Sequence, residues 1–247
     1  MNPGAVVAAG LAGAALGPLL RARILRYAVP AGTPWRRDCP YCATALVRPG
    51  PRGLADILPP TGACPRCGER IGPAPGLVEV VAATVLGALA WRIGGTSPLL
   101  AYGWIAGFGI VLGFVDVAVR RLPDRLTLPA AAGGLALFGL VVLAGEAPPG
   151  RLGTALLCAL AVTGCYLGLV LVSGGGLGPG DARLAFGTGL ATGWYGTDAA
   201  FLGVVGALLL ASGYAGTLLA LRRIGRTDPL PHGPFLLTAA LVAVLLR

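Results

Sequence analysis

The stretch Gly103-Trp-Ile-Ala-Gly-Phe-Gly-Ile-Val-Leu-Gly-Phe-Val-Asp116-Val-Ala-Val-Arg120-Arg121 decides the fold class. Uncharged from Gly103 to Val115, it closes an apolar run over 97–116, about the 20 residues a helix needs to cross a bilayer. It then turns abruptly polar, with one acid and two arginines. An acid at a helix centre in lipid costs roughly 2.5 kcal/mol or more, so acids that persist near a span are usually functional.

Outward from this run the same pattern recurs. Apolar stretches cover 4–20, 77–95, 97–116, 126–145, 153–173, 184–197, 199–221 and 233–247. The chain is 55% hydrophobic and 12% charged, with a mean hydropathy of +0.79. A soluble domain carries about twice that charged fraction. The sequence therefore predicts an all-α, polytopic integral membrane protein with about eight transmembrane helices. It reads as a single membrane domain over 1–247, with a loop at 21–76 inserted between the first two helices. Gly and Ala recur inside the runs, which suits close helix packing in lipid.

The net charge of +9 comes from 19 arginines and 10 acids. Its distribution fits membrane topology rather than a nucleic-acid partner. No basic residue precedes the first run, and Arg21, Arg23 and Arg26 follow it, unlike a signal peptide. With the N-terminus outside, eight spans make 21–76, 117–125, 174–183 and 222–232 the inner segments. These hold 16 of the 19 arginines, as the positive-inside rule requires. Asp116 and a second acid, Asp181, then fall on the cytoplasmic face.

The loop 21–76 carries Cys39-Pro-Tyr-Cys42 and Cys64-Pro-Arg-Cys67, with 21 residues between Cys42 and Cys64. Two Cys-x-x-Cys pairs at this spacing suit a four-thiolate structural zinc site. Gly68 fits the turn that follows the second pair. The loop is poor in large apolar residues, so metal binding would supply its folding energy. Two disulfides or free thiols are the alternative, and a cytoplasmic location disfavours disulfides. Cys158 and Cys165, in the fifth span, read as packing residues.

Asp181 ends the segment Gly174-Gly-Gly-Leu-Gly-Pro-Gly-Asp181. Dense glycine opens backbone conformations closed to other residues and lets a peptide approach closely. Asp181 also suits a cap for the sixth helix, Asp124 a cap for the fourth, and Asp116 an i,i+4 pair with Arg120. Two acids that meet cannot both ionise easily. One keeps a proton, and the pair serves as shared general base and general acid for hydrolysis. No rival constellation stands out: His232 has no Ser or Cys partner motif, and the glycine segment lacks the Lys-Ser/Thr of a phosphate loop.

In order along nearly the whole chain, these residues resemble the bacterial prepilin peptidases, the type IV prepilin leader peptidases. The resemblance is carried by Cys39, Cys42, Cys64 and Cys67, by Leu77-Val-Glu79, and by Asp116 with Leu122-Pro-Asp124 and Leu126-Thr-Leu-Pro129. Gly178-Pro-Gly-Asp181-Ala-Arg-Leu184 and Gly233-Pro-Phe235 complete it. It implies an inner-membrane aspartic endopeptidase with Asp116 and Asp181 as its catalytic pair. The substrates it implies are type IV prepilin or pseudopilin precursors, cut after a glycine on the cytoplasmic side. It also implies N-methylation of the new terminus, with S-adenosylmethionine as donor, in many members. Glu79, Gly178, Gly180 and Arg183 are the substrate-binding candidates; Glu79 would contact the leader or the methyl-transfer site, or else pair with a loop arginine. Four positions depart from the family's usual pattern: Pro179, Arg183 where lysine is usual, His232 where phenylalanine is usual, and Leu20-Arg-Ala-Arg in place of an asparagine. His232 reads as a packed or interfacial residue.

Two other functions fit parts of the sequence. An intramembrane protease of preflagellin or presenilin type shares the Gly-x-Gly-Asp element but not the cysteine loop. A proton-coupled transporter or an assembly scaffold for pili or secretion would use the acids without cleaving peptide. The oligomeric state is not readable from the sequence.

Overall fold

The computed structural model describes residues 3–48, 53, 55–94, 96–173, 176–225, 228 and 230–247. Among the described residues the regular structure is all helical: α1 (Pro3–Tyr27), α2 (Leu77–Ile93), α3 (Thr96–Val119), α4 (Asp124–Leu143), α5 (Pro149–Val172), α6 (Pro179–Gly193), α7 (Thr197–Ala220) and α8 (Gly233–Leu245). Each apolar run of the sequence has become one helix. Five of the helices, α1, α3, α4, α5 and α7, are long and apolar enough to cross a bilayer. This is a multi-pass membrane protein.

The helix boundaries differ from the apolar runs in two informative places. α1 continues through Arg21, Arg23 and Arg26 to Tyr27, because the following loop buries that end of the helix: Arg21, Leu25 and Tyr27 are all buried. α6 begins at Pro179 rather than after the glycine segment. Proline suits the first helical turn, where its missing N–H has no helical acceptor. Asp181 is thereby inside the first turn of α6. Gly174 and Gly175 lie outside the described residues.

The chain divides into two compact units. One comprises Met1–Gly95 and Ala106–Arg121; the other comprises Thr96–Ile105 and Leu122–Arg247. α3 supplies its first ten residues to the second unit and the rest to the first.

In the first unit α1 packs along α2, and the intervening loop is fastened to the end of α1. The Leu58 N–H donates to Pro18 O at 2.9 Å and the Arg36 N–H to Arg26 O at 3.0 Å. Val47, Leu58, Ile71, Cys39 and Cys64 bury against Ala22 and Leu25 of α1. The sequence alone credits the metal with folding this loop. The structure adds a small apolar core, to which α1 contributes Ala22 and Leu25.

In the second unit α6 is the central helix, packed against α4, α5, α7 and α8. It can be central because it is thin. A Cβ at Gly189 would sit 2.9 Å from Ala159 Cα, and one at Gly193 would sit 3.0 Å from Ala155 Cα, so α5 and α6 touch backbone to backbone, as small residues permit in membranes. Tyr102 of α3 donates its hydroxyl to Ala191 O at 2.6 Å. Phe138 stacks on Trp194 at 4.3 Å. These contacts fix α6 between its neighbours and set where Asp181 stands.

Candidate active site and metal centre

The four loop cysteines converge. Their sulfurs all lie within 4.8 Å of one another, with Cys39 Sγ 3.8 Å from Cys67 Sγ and Cys42 Sγ 3.7 Å from Cys64 Sγ. A tetrahedral ion with metal–sulfur bonds of about 2.3 Å separates its ligands by about 3.8 Å. No disulfide links them. The donor set fits a metal ion, held by all four thiolates with no position left open.

Each pair sits in the same small hairpin. The Cys39 N–H donates to Thr44 O and the Ala43 N–H to Cys39 O; the Cys64 N–H donates to Glu69 O and the Gly68 N–H to Cys64 O. Isolated bridges Asp38–Ala45 and Ala63–Arg70 close the two turns. The residue after each second cysteine takes a left-handed conformation, Gly68 at φ +75° and Ala43 at φ +54°. The glycine was legible from sequence; its alanine counterpart was not. The hydroxyl and amide of Thr44 draw the Cys42 thiol down to about 6. The Glu69 amide favours the Cys67 thiolate, but desolvation and the three neighbouring sulfurs outweigh it and push Cys67 up to about 12. Without a metal the cluster cannot ionise fully.

Asp116 stands in the last turns of α3 and is buried, whereas Arg120 is exposed. The Arg120 N–H donates to Asp116 O at 2.7 Å, and Arg120 itself turns left-handed at φ +52° to end the helix.

Asp181 is the third residue of α6. Its Oδ2 accepts the Gly178 N–H at 2.9 Å. The other oxygen, Oδ1, is buried and has no hydrogen-bond partner among the described residues. The sequence offered Asp181 as the N-cap of this helix; the structure puts Gly178 at the cap and Asp181 two residues into the helix beyond Pro179, reaching back to the Gly178 N–H with half its carboxylate. Burying an oxygen without a partner is costly, and Oδ1 is the carboxylate acceptor that the described residues leave unused.

The glycines divide in role. Gly178 has φ −96° and ψ 158°, open to any residue, so its use lies in the N–H it gives Asp181. A Cβ on Gly180 would lie 2.8 Å from Leu122 Cβ and 3.3 Å from Leu122 O. Gly180 therefore lets the start of α6 sit directly on the turn before α4.

Asp124 is a correction to the sequence reading. Pro123 occupies the cap position, extended at φ −72°, and Asp124 is the first helical residue with no capping bond. Its carboxylate instead receives Arg183. Both side chains are about half exposed, so Arg183 is engaged at a solvated surface.

Glu79 has a partner of a different kind. Arg21 Nε donates to its Oε1 and Nη2 to its Oε2, both at 2.7 Å. The same guanidinium reaches Pro73 O at 3.0 Å and Ala74 O at 2.8 Å. Arg21 is 2% exposed. A side chain at Gly17 would overlap Glu79, so the bare backbone of α1 is what admits the pair. The sequence set Arg21 among the topological arginines and offered a loop arginine as Glu79's alternative partner without saying which; Arg21 is that arginine. A signal existed: Arg21 ends the first run and Glu79 opens the second, so adjacent antiparallel helices bring them side by side. His232 is buried, and its Nε2 lies 2.9 Å from the Tyr166 hydroxyl, as a packed residue would be. Nothing in the sequence of the fifth span marked Tyr166 as its partner.

The sequence model of the type IV leader peptidase family matches residues 104–221, a span holding both Asp116 and Asp181. The prepilin leader peptidase/N-methyltransferase of Aeromonas hydrophila is 31% identical over 218 residues, covering 85% of this chain and 71% of that protein. Proteins of the same name from Stutzerimonas stutzeri and Pseudomonas aeruginosa are 32% and 31% identical, each over 84% of this chain and 70% of the relative. This chain belongs to the type IV prepilin leader peptidase family. No solved structure matches it at a significant level. The matches to whole leader peptidases extend beyond the family model, which begins after the cysteine loop and Glu79. Membership therefore covers most of the chain, and the individual roles of its residues rest on their geometry.

Proposed function

We propose that this protein is an aspartic endopeptidase of the bacterial inner membrane that removes the basic leader from type IV prepilin-like precursors at the cytoplasmic face. The N-terminus is outside, and the 21–76 loop and both acids lie on the inner side. The observation that carries the reading is Asp181: a buried carboxylate with one oxygen held by the Gly178 N–H and the other bare.

Asp116 and Asp181 share one proton. The ionised carboxyl takes a proton from water as it attacks the scissile carbonyl, and the protonated one gives its proton to the carbonyl oxygen. The Gly178 amide, at the positive end of α6, holds the Asp181 carboxylate in place. Gly178 and Gly180, the substrate-binding candidates of this segment, set the first turn of α6 and with it Asp181, through the Gly178 N–H and the close contact of Gly180 with Leu122. Arg183, oriented by Asp124, and Glu79, oriented by Arg21, are the further substrate-binding candidates.

Cys39, Cys42, Cys64 and Cys67 hold zinc as a structural ion, and no chemical step passes through it. The relatives' names pair the peptidase with an N-methyltransferase, for which S-adenosylmethionine would supply the methyl group. Glu79, the candidate for that site, has both oxygens occupied by Arg21, and no step is derived through the methyl donor.

Co-expression with a tagged prepilin tests the reading by mass spectrometry of the product. Leader loss that disappears in Asp116→Asn and in Asp181→Asn supports it. Cleavage at the wild-type rate in either variant overturns the catalytic pair. A mass gain of about 14 units, one methyl in place of hydrogen, reads the methyltransferase separately.

A further inference from the structure

In the first unit, the segment between α1 and the first cysteine hairpin grips the end of α3. Tyr27 meets Trp35 edge to face, with ring centroids 4.8 Å apart. The Arg121 guanidinium lies over the Trp35 ring, 4.5 Å from its centroid. Arg121 Nη1 also donates to Pro30 O at 3.2 Å. Arg121 follows Arg120, whose left-handed turn and N–H bond to Asp116 O end the helix. On its other side Trp35 is four residues from Cys39. Between them, the Arg36 N–H is bonded to Arg26 O, and Arg37 O accepts the N–H groups of Leu46 and Val47.

We propose that Trp35 and Arg121 are positioning residues for Asp116: the segment Pro30–Trp35, held by the cysteine hairpin beside it, clamps the end of α3 through a cation–π contact. The inference rests on the reading of Asp116 as a catalytic acid. A non-glycine residue in the left-handed region, such as Arg120, is strained and persists where its surroundings fix it. The stacked guanidinium and its bond to Pro30 O supply that fixation one residue later. Positive charge on the inner side would account for an arginine at 121, but topology requires neither an aromatic face beneath it nor a carbonyl acceptor. Planar guanidinium stacking is what arginine provides and lysine provides less well. Placement matters, because a shift of about 1 Å at a reacting group costs on the order of a hundredfold in rate.

The test uses the full-length, zinc-loaded protein labelled with 5-fluorotryptophan. The Trp35 resonance is assigned by its absence in Trp35→Phe. Chelation of zinc is expected to move that resonance in the wild-type protein, and Arg121→Ala is expected to move it with zinc in place. Trp35→Leu and Arg121→Ala are expected to lower kcat about tenfold with KM within about twofold, Trp35→Phe to recover most of the loss, and Arg121→Lys, which keeps the charge without the planar stack, to recover only a small part of it. Asp116→Asn should abolish cleavage and leave the Trp35 resonance where it is. Wild-type kcat in Trp35→Leu, or an unmoved resonance in Arg121→Ala, overturns the clamp while leaving the catalytic reading intact. Cleavage by Asp116→Asn at the wild-type rate would overturn the catalytic reading, with the resonance still reporting on the clamp. Should Arg121→Ala not accumulate in the membrane, the kcat of Trp35→Leu decides alone.

Discussion

The Gly178 N–H and the Asp181 carboxylate, 2.9 Å apart, form half of a capping box at the start of α6, and the unused oxygen Oδ1 is buried without a partner among the described residues. Capping and catalysis are therefore separable by substitution. In Asp181→Asn the side-chain carbonyl still accepts the Gly178 N–H, so the helix start survives. Stability is expected to stay within about 1 kcal/mol of wild type. Activity should fall by at least about 10². Asp181→Ala loses the cap as well and should cost roughly a further 1 kcal/mol. Thermal denaturation in detergent, read beside the prepilin cleavage rate, separates the two effects.

Arg21 and Glu79 make the opposite kind of pair, with little carboxylate left for chemistry. Both are well buried, at 2% and 13% side-chain exposure. Removing one partner strands the other, so Glu79→Ala is expected to cost about 3 kcal/mol and to lower Tm by roughly 6–12 °C. The double substitution Arg21→Met/Glu79→Leu leaves no orphan charge and should be less destabilising than Glu79→Ala alone. A double variant worse than the single would show that the stabilisation comes from the arginine's bonds to Pro73 O and Ala74 O.

The two cysteine hairpins differ at one position in a way that predicts both stability and proton release. Ala43 holds the left-handed turn that Gly68 holds in the second hairpin. Ala43→Gly removes a backbone penalty of about 1 kcal/mol, partly offset by the greater freedom of glycine in the unfolded chain. The variant should retain zinc against a higher concentration of chelator. Proton release follows from Cys42 and Cys67. Cys67, pushed up to about 12, is protonated before the metal arrives and must lose that proton on binding. Cys42, drawn down to about 6, is already ionised at pH 8 and only half ionised near pH 6. The number of protons released on zinc binding should therefore rise as pH falls from 8 to 6, while apparent affinity falls. Calorimetry in buffers of different ionisation heat measures both.

The eight apolar runs foretold the eight helices because each helix must be apolar over most of its surface, whichever neighbour it meets. The metal ligands were equally legible, since Cys-x-x-Cys spacing is itself the geometry of the hairpin. What the sequence hid was direction. Arg21, Arg121 and Arg183 all look like inner-face charges. One is buried on Glu79, one lies over Trp35, and one pairs with Asp124 at the surface. Arginine obeys the positive-inside rule with its charge and does its other work with the shape of its guanidinium, and only the second depends on the fold. Asp124 was misplaced for a related reason. Either Pro123 or Asp124 could begin a helix, and the extended conformation of Pro123 put the proline at the cap and freed the acid for Arg183.

Gly180 offers a test of whether the start of α6 must sit where it does. Its Cα faces Leu122, and a methyl group there would come 2.8 Å from Leu122 Cβ. Gly180→Ala must therefore push α6 and the 122–124 turn apart. Overpacking of this kind costs typically 1–3 kcal/mol, so the variant should fold with reduced stability. Displacing the first turn of α6 carries Asp181 and the Gly178 N–H with it, and the cleavage rate should fall on the order of tenfold or more. Leu122→Gly removes the opposing Cβ itself, so in the Gly180→Ala background it should restore part of the cleavage rate, while the stability lost with the buried leucine side chain is not recovered. Gly178→Ala, at a position whose backbone is open to any residue and whose N–H is retained, should leave Tm nearly unchanged. A Gly178→Ala variant as damaged as Gly180→Ala would mean that the glycines act through the peptide they admit, and not through the contact between Gly180 and Leu122.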